Sequence, residues 1–134
     1  MRTLGDMDWL NDYIGIPYEF GGRAITGLDC YGLVKLIYHN EYGLVLPDWV
    51  VDTVNLREVN RTISSVVTSG DFDKIDIPND GCFVIAYRNK AACHIGLHYA
   101  GNVIHAAEGI GVIYQPLYKF KADYVRVEFG EWHP

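Results

Sequence analysis

Apolar positions change their period once along this chain. Between Asp29 and Gly43 they recur at three- and four-residue intervals, at Leu33, Val34, Ile37 and Tyr38, the spacing that lines one face of an α-helix. Asp29 is a good N-cap and Gly43 a natural residue for the left-handed turn past a helix end, so the pattern predicts a helix over Cys30 to Tyr42. A shorter helix around Met7 to Tyr13 is stopped by Gly15-Ile16-Pro17, and Gly21-Gly22 makes Gly15 to Leu28 a loop. Val51 to Ser69 is loosely helical, although β-branched residues near its end work against a helix. Past the turn cluster Pro78-Asn79-Asp80-Gly81, short apolar runs alternate with Gly, Asn or Pro: Cys82 to Tyr87, His94 to Tyr99, Val103 to Ala106, Val112 to Gln115 and Tyr124 to Phe129. These predict an antiparallel meander of about five strands, with turns at Arg88 to Ala92 and at Gly101-Asn102. Helices first and strands afterwards give an α+β fold, N-terminal helices packed on an antiparallel sheet.

Composition narrows this to one unit. The 134 residues are 49% hydrophobic and 13% aromatic, enough for a single core spanning 1–134 and incompatible with a disordered chain. Eleven Lys plus Arg against seventeen Asp plus Glu leave a net charge of −6, and the basic residues are scattered, so nucleic acid is not expected as a partner. The longest apolar run, Cys82 to Tyr87, falls far short of the ~18 residues of a membrane span. Met1 to Asp8 has no apolar stretch of a secretory signal, so none is expected. Cys30, Cys82 and Cys93 cannot all pair with one another and no C-x-x-C occurs. Neither a disulfide framework nor a zinc ribbon fits, and no metal or organic cofactor is expected.

Chemistry then rests on thiols and imidazoles. Cys30 follows the N-cap at a helix mouth, where unpaired N–H groups favour a thiolate and can also hold an oxyanion. Cys82 and Cys93 read as small core hydrophobes lying too far apart to join. His39 and His133 read as surface residues. His94, His98 and His105 lie on adjacent strands, and periodicity does not choose among them as partner to the sulfur. A tight turn at Gly101-Asn102 sets His105 opposite His98, so a His94 to His105 pair needs a diagonal contact, a bulge or a wider loop.

Three separated blocks in the front half, Gly15-Ile16-Pro17-Tyr18-Glu19-Phe20-Gly21-Gly22, Gly27-Leu28-Asp29-Cys30-Tyr31-Gly32-Leu33-Val34 and Tyr42-Gly43-Leu44-Val45-Leu46-Pro47, resemble the NlpC-type cell-wall peptidases, papain-like cysteine hydrolases. Asn79-Asp80-Gly81-Cys82-Phe83-Val84, His94-Ile95-Gly96-Leu97 and Ile104-His105-Ala106 resemble that family's strand motifs in the same order. The resemblance covers about Gly15 to Pro116. It implies that Cys30 is the nucleophile, His94 the general base and acid, and His105 the residue that orients His94. It further implies that the Tyr18 hydroxyl points toward the oxyanion region and that Asp29 stands near a free amine of a peptidoglycan stem peptide. His98 occupies a position where the family has a tyrosine or another hydrophobe.

Two departures shape the functional expectation. Tyr31 is bulky where cell-wall members have a small residue, which makes it a substrate-contacting residue and resembles the branch carried by tailed phages and prophages; an insertion over 48–80 would border the cleft. The expectation is therefore a cysteine endopeptidase of peptidoglycan stem peptides, with the D-γ-glutamyl to diaminopimelate bond as the implied target. It would be delivered by a phage tail tip, with tail-tip proteins as partners, or made in the host cytoplasm without a signal, and would act on the periplasmic wall. The rivals are a structural tail-tip protein that keeps the fold without catalysis, its cleft obstructed by Tyr31, and an amidase or acyltransferase using the same Cys–His pair.

Overall fold

The computed structural model describes residues 7–47 and 56–133, the side chains of 56–60 excepted; the expectations for Met1 to Asp6 and for 48–55 lie outside these residues. A single 3-10 turn, Asp8–Asp12, stands where the first helix was expected. The segment read as loop contains a miniature hairpin, β1 (Arg23–Ala24) and β2 (Gly27–Leu28), against which Tyr18 makes one parallel bridge at Leu28. Helix α1 runs Cys30–Tyr42 as predicted: the Asp29 carboxylate accepts the Gly32 N–H, and Gly43, at φ 66°, closes the helix in the left-handed region. Helix α2 (Leu56–Thr68) occupies the loosely helical segment.

Six strands follow or intervene: β3 (Phe72–Ile75), β4 (Phe83–Arg88), β5 (Ala91–Tyr99), β6 (Asn102–Ala107), β7 (Gly111–Pro116) and, after the short helix α3 (Leu117–Lys121), β8 (Arg126–Trp132). All neighbours are antiparallel, in the order β3-β8-β4-β5-β6-β7. The expected five-strand meander is thus corrected in two ways. β3 is an additional strand, and β8 does not follow β7 but crosses to the far side of the sheet to pair with β4 and β3. The crossing has a physical cause: α3 buries Phe120 against Val84, Ala86 and Val103 on one face of the sheet, with Tyr124, Val127 and Phe129 packed beside it. That secondary core carries the chain over the face and returns it at the other edge.

The main core lies on the opposite face, where Leu33, Val34 and Ile37 of α1 meet Phe83, Ile85, Ile95 and Leu97. Each such side chain contributes roughly 1.5–3 kcal/mol when fully buried. This packing presses the N-terminus of α1 against β5 and fixes where Cys30 sits.

Two registers differ from the sequence count. The β5–β6 turn is Ala100-Gly101, both at positive φ (53° and 80°), so Tyr99 pairs with Asn102 and His98 with Val103. A two-residue turn of this kind matches the twist of the strands. Continuing that register puts His105 level with Gly96, not with His98. In the β4–β5 hairpin Ala86 pairs with His94 and Tyr87 with Ala92, which leaves Cys93 as a bulge residue. Cys93 is accordingly half-buried and outside the core, whereas Cys82 is buried as expected.

Candidate active site

The nucleophile end of the site is built on three glycines. A Cβ at Gly32 would lie 2.0 Å from the Gly22 carbonyl oxygen, one at Gly22 would lie 2.4 Å from the Gly27 oxygen, and one at Gly27 would meet the Glu19 side chain. Their bare Cα atoms let the β1–β2 hairpin sit directly on the first turn of α1. Cys30, first residue of that helix, is buried. β5 and β6 part beyond Leu97↔Ile104, and the backbone N–H groups of Ile95 and Tyr31 are directed to the Cys30 sulfur, where they favour its charged form. They do not prevail. Burial, and then the Asp29 charge, push the Cys30 thiol up to about 12. At rest burial therefore favours the neutral thiol, against the thiolate that the helix mouth was expected to favour.

The imidazoles form a line. His94 Nε2 is 2.9 Å from His105 Nδ1, and His105 Nε2 is 2.6 Å from Gln115 Oε1. The Gln115 carbonyl accepts only, so His105 carries its proton on Nε2 and offers a bare Nδ1; His94 must then donate from Nε2. His94 Nδ1 is left as the bare basic nitrogen. The contact is the diagonal one: His94 stands two residues beyond Gly96, the position level with His105. A Cβ at Gly96 would lie 2.8 Å from the Ile104 oxygen and 3.0 Å from the His105 Cβ, so glycine there lets the strands and the two rings come together. The His94 ring lies nearly parallel to Phe120 (5.8 Å, 27°) and Tyr124 (5.9 Å, 17°), while Phe120 meets His105 edge-on at 4.8 Å. Burial first, then His105 and Arg88, push the His94 imidazole down to about 3, and burial also holds His105 below its ordinary value. Both rings are neutral at rest.

The remaining sequence candidates separate clearly. Tyr18 is half-buried against Phe20, its hydroxyl raised by burial and then by the charge that Cys30 would carry. Asp29 is buried, with Oδ1 accepting from Gly32 N–H and Arg23 Nη1 at 2.7 Å each and Oδ2 accepting from Gly21 N–H at 3.1 Å. Its carboxylate is engaged in capping the helix and pairing Arg23, the partners it has where the resemblance implied a substrate amine. Tyr31 is also buried, its hydroxyl donating to the Pro47 carbonyl at 2.5 Å and its ring facing Arg23. Buried and bonded in this way, it presents no exposed face for the substrate contact or the obstruction expected of it. His98 is buried elsewhere, against the Asn79 carbonyl (3.0 Å) and Asp80 (3.6 Å). His39 and His133 are exposed. Gln115, Phe120 and Tyr124 were not singled out in the sequence; the signal for Gln115 is its place two residues past Ile113, the partner of His105, on the same strand face.

Among the described residues no group of three or more His, Cys, Asp or Glu is placed to hold a metal ion, and no helix is long and apolar enough to cross a membrane. The three cysteines are unpaired with one another.

Comparison with known proteins follows the same residues. The model described as the NlpC/P60 family matches residues 15–128. The chain is 28% identical over 109 residues to the murein DD-endopeptidase MepS/murein LD-carboxypeptidase of Escherichia coli (strain K12), covering 80% of this chain and 50% of that protein. It is 30% identical over 107 residues to the probable endopeptidase NlpC of the same strain, covering 79% of this chain and 62% of that one. The chain therefore spans only half to three-fifths of these relatives' lengths. In structure it is similar to the NlpC/p60 domain of the peptidoglycan hydrolase SagA, with a TM-score of 0.62 at 20% identity over 90% of this chain and 89% of that one. An NlpC/P60 family protein from Bacillus cereus gives a TM-score of 0.65 at 20% identity, over 100% of this chain and 44% of that one. These likenesses show the shared α+β fold.

Proposed function

Since the chain belongs to the NlpC/P60 family, whose peptidases are cysteine peptidases, we propose that it is a cysteine endopeptidase of peptidoglycan stem peptides. The observation that carries this reading is the His94–His105–Gln115 line on the strand whose Ile95 N–H is directed to the Cys30 sulfur, from which His94 Nδ1 follows as the basic nitrogen. With thiol and imidazole both neutral at rest, His94 Nδ1 takes the thiol proton as Cys30 Sγ bonds to the scissile carbonyl carbon. In this reading the N–H of Cys30, which has no partner within its own helix, and the Tyr18 hydroxyl are the donors for the oxygen that becomes negative. Collapse breaks the C–N bond and His94 passes its proton to the leaving amine. Water, deprotonated by the same nitrogen, then attacks the thioester, freeing the acid and restoring the thiol.

Within that activity, the D-γ-glutamyl to diaminopimelate bond is the target implied by resemblance. A phage tail tip, with tail-tip proteins as partners, is the setting suggested by the aromatic residue in Asp29-Cys30-Tyr31-Gly32-Leu33. Digestion of purified peptidoglycan with mass analysis of the fragments tests activity and bond together. New amino termini on diaminopimelate are expected; fragments ending at D-alanyl bonds would replace the bond assignment, and no fragments beyond those of Cys30→Ala would overturn the activity. Mass spectrometry of purified virions from the encoding strain tests the setting.

A further inference from the structure

Arg88 stands at the end of β4, exposed, beside the bulge that carries Cys93 and immediately before the turn. Its guanidinium lies 5.1 Å from the centroid of the Tyr124 ring, and that ring lies 5.9 Å from His94 at 17° to its plane. Guanidinium, phenol and imidazole thus form one continuous wall, with Arg88 at its solvent end. A planar guanidinium seated on an aromatic face has most of its rotational freedom already spent while its N–H fork stays outward. Among the described residues Arg88 has no carboxylate partner; by contrast Arg23 is paired with Asp29, and Lys74 with Glu128.

An unpaired cation in this place works against the chemistry next to it. After burial and His105, Arg88 is the third influence that holds the His94 imidazole down, so it opposes the protonated base through which the reaction passes. A negative group brought by the substrate removes that opposition at the moment the proton must move.

Resting on the peptidase reading above, we propose that Arg88, fixed on the face of Tyr124, forms a subsite for a free carboxylate on the leaving-amine side of the scissile bond. The side follows from the division of labour: His94 hands its proton to the leaving nitrogen, so the residue that owns that nitrogen lies along the His94 wall, where Tyr124 and Arg88 stand. A guanidinium fork takes a carboxylate through two parallel N–H···O bonds and has no comparable use for a carboxamide. The subsite therefore selects unamidated stem peptides over those whose carboxylate has been converted to an amide.

The test uses the Cys30→Ala protein to measure binding of two synthetic peptides that carry the leaving-side amine and differ only in a free carboxylate or a carboxamide at that residue. Intact stem peptides of the same two kinds are given to the active chain for kcat/KM. The carboxylate peptide should bind about ten-fold or more tightly and be cleaved with a similar advantage, which shrinks as salt is raised. Arg88→Gln should lose that advantage by weakening only the carboxylate form, while Arg88→Lys keeps part of it, as a point charge without the fork. Equal binding of both peptides to the Cys30→Ala protein, or an equal loss for both in Arg88→Gln, would overturn the subsite. Failure of the peptidase reading looks different: no turnover of either peptide by the active chain, whatever the binding experiment shows.

Discussion

His105 holds one tautomer because of what stands beyond it. Its Nε2–H is taken by Gln115 Oε1 at 2.6 Å, which forces its Nδ1 to accept from His94. Gln115→Leu leaves that N–H without an acceptor, at a cost of about 1–3 kcal/mol of stability. It also frees His105 to move its proton to Nδ1, where it faces the His94 Nε2–H; His94 must then shift its own proton to Nδ1 and ceases to be a base. We expect a fall in kcat of ten-fold or more with KM little changed, rescue by Gln115→Glu, which keeps the acceptor, and a changed His94 tautomer in the 15N shifts of the rings. An unchanged kcat in Gln115→Leu would sink this account. Cys30→Ala and His94→Ala should each abolish turnover, whereas His105→Gln should keep part of it, since an amide oxygen can accept the Nε2–H of His94. The same neutral resting state governs reagents. With the thiol raised to about 12 by burial and Asp29, alkylation of Cys30 by iodoacetamide at pH 7 should be at least ten-fold slower than that of a small thiol and should climb into the alkaline range. Rapid modification near neutral pH would show a thiolate at rest. The sequence made Cys30, His94 and His105 visible through motif resemblance, but Gln115 was out of its reach because glutamine carries no pattern until a neighbour across the ladder is known. Asp29 and Tyr31 were visible too, but the burial that engages one in a cap and the other in the core was not.

Local signals were read well in elements whose ends are chemical. α1 has its predicted bounds because Asp29 and Gly43 are both capping residues acting within one turn. β3 and the placement of β8 were not readable, since both depend on pairing between segments more than fifty residues apart, Phe72 with Trp132 and Ile75 with Phe129. The β5–β6 turn was misplaced by one residue because Ala100 adopts φ 53°, a conformation its side chain does not advertise. That single step decides whether His105 sits level with His98 or with Gly96. At this scale the glycine interlock makes the sharpest prediction. Gly32→Ala drives a methyl to within 2.0 Å of a backbone oxygen at Gly22, which no rotamer change relieves. The β1–β2 hairpin must lift from the helix, with a stability loss of about 1–3 kcal/mol or more. Asp29 loses the Gly32 N–H in the same movement, and Cys30 is displaced from Ile95, so activity should fall further than stability alone explains. Gly43→Ala, at the other end of the same helix with nothing within 4 Å of a new Cβ, meets only its φ of 66°. It should cost about 1 kcal/mol and leave turnover intact. Denaturant midpoints and kcat/KM for the two variants check the contrast, and similar activities would refute a role for the interlock in holding the nucleophile.

For the whole molecule the site is a liability in acid. His94 and His105 stand between the secondary core under α3 and the parted strands β5 and β6, and burial holds both imidazoles below their ordinary value, His94 down to about 3. The sign follows from which state binds protons first. As pH falls through about 6.5 the unfolded chain protonates these histidines while the folded chain does not, so the free energy of unfolding decreases with decreasing pH, and the loss continues until the folded rings themselves take up protons near the lower value. Above pH 7 neither state binds the proton and the stability they help define is fully present. Urea midpoints should therefore be flat from pH 8 to 7 and fall from 6.5 toward 4. In His94→Gln, where the amide N–H still donates to His105 but the titrating group is gone, the fall should be shallower. His39→Gln, at an exposed histidine on α1, should reproduce the wild-type slope. A His94→Gln slope equal to wild type would mean that the ring is protonated in the folded chain at those pH values, and the neutral line from Gln115 to His94 would have to be abandoned with it.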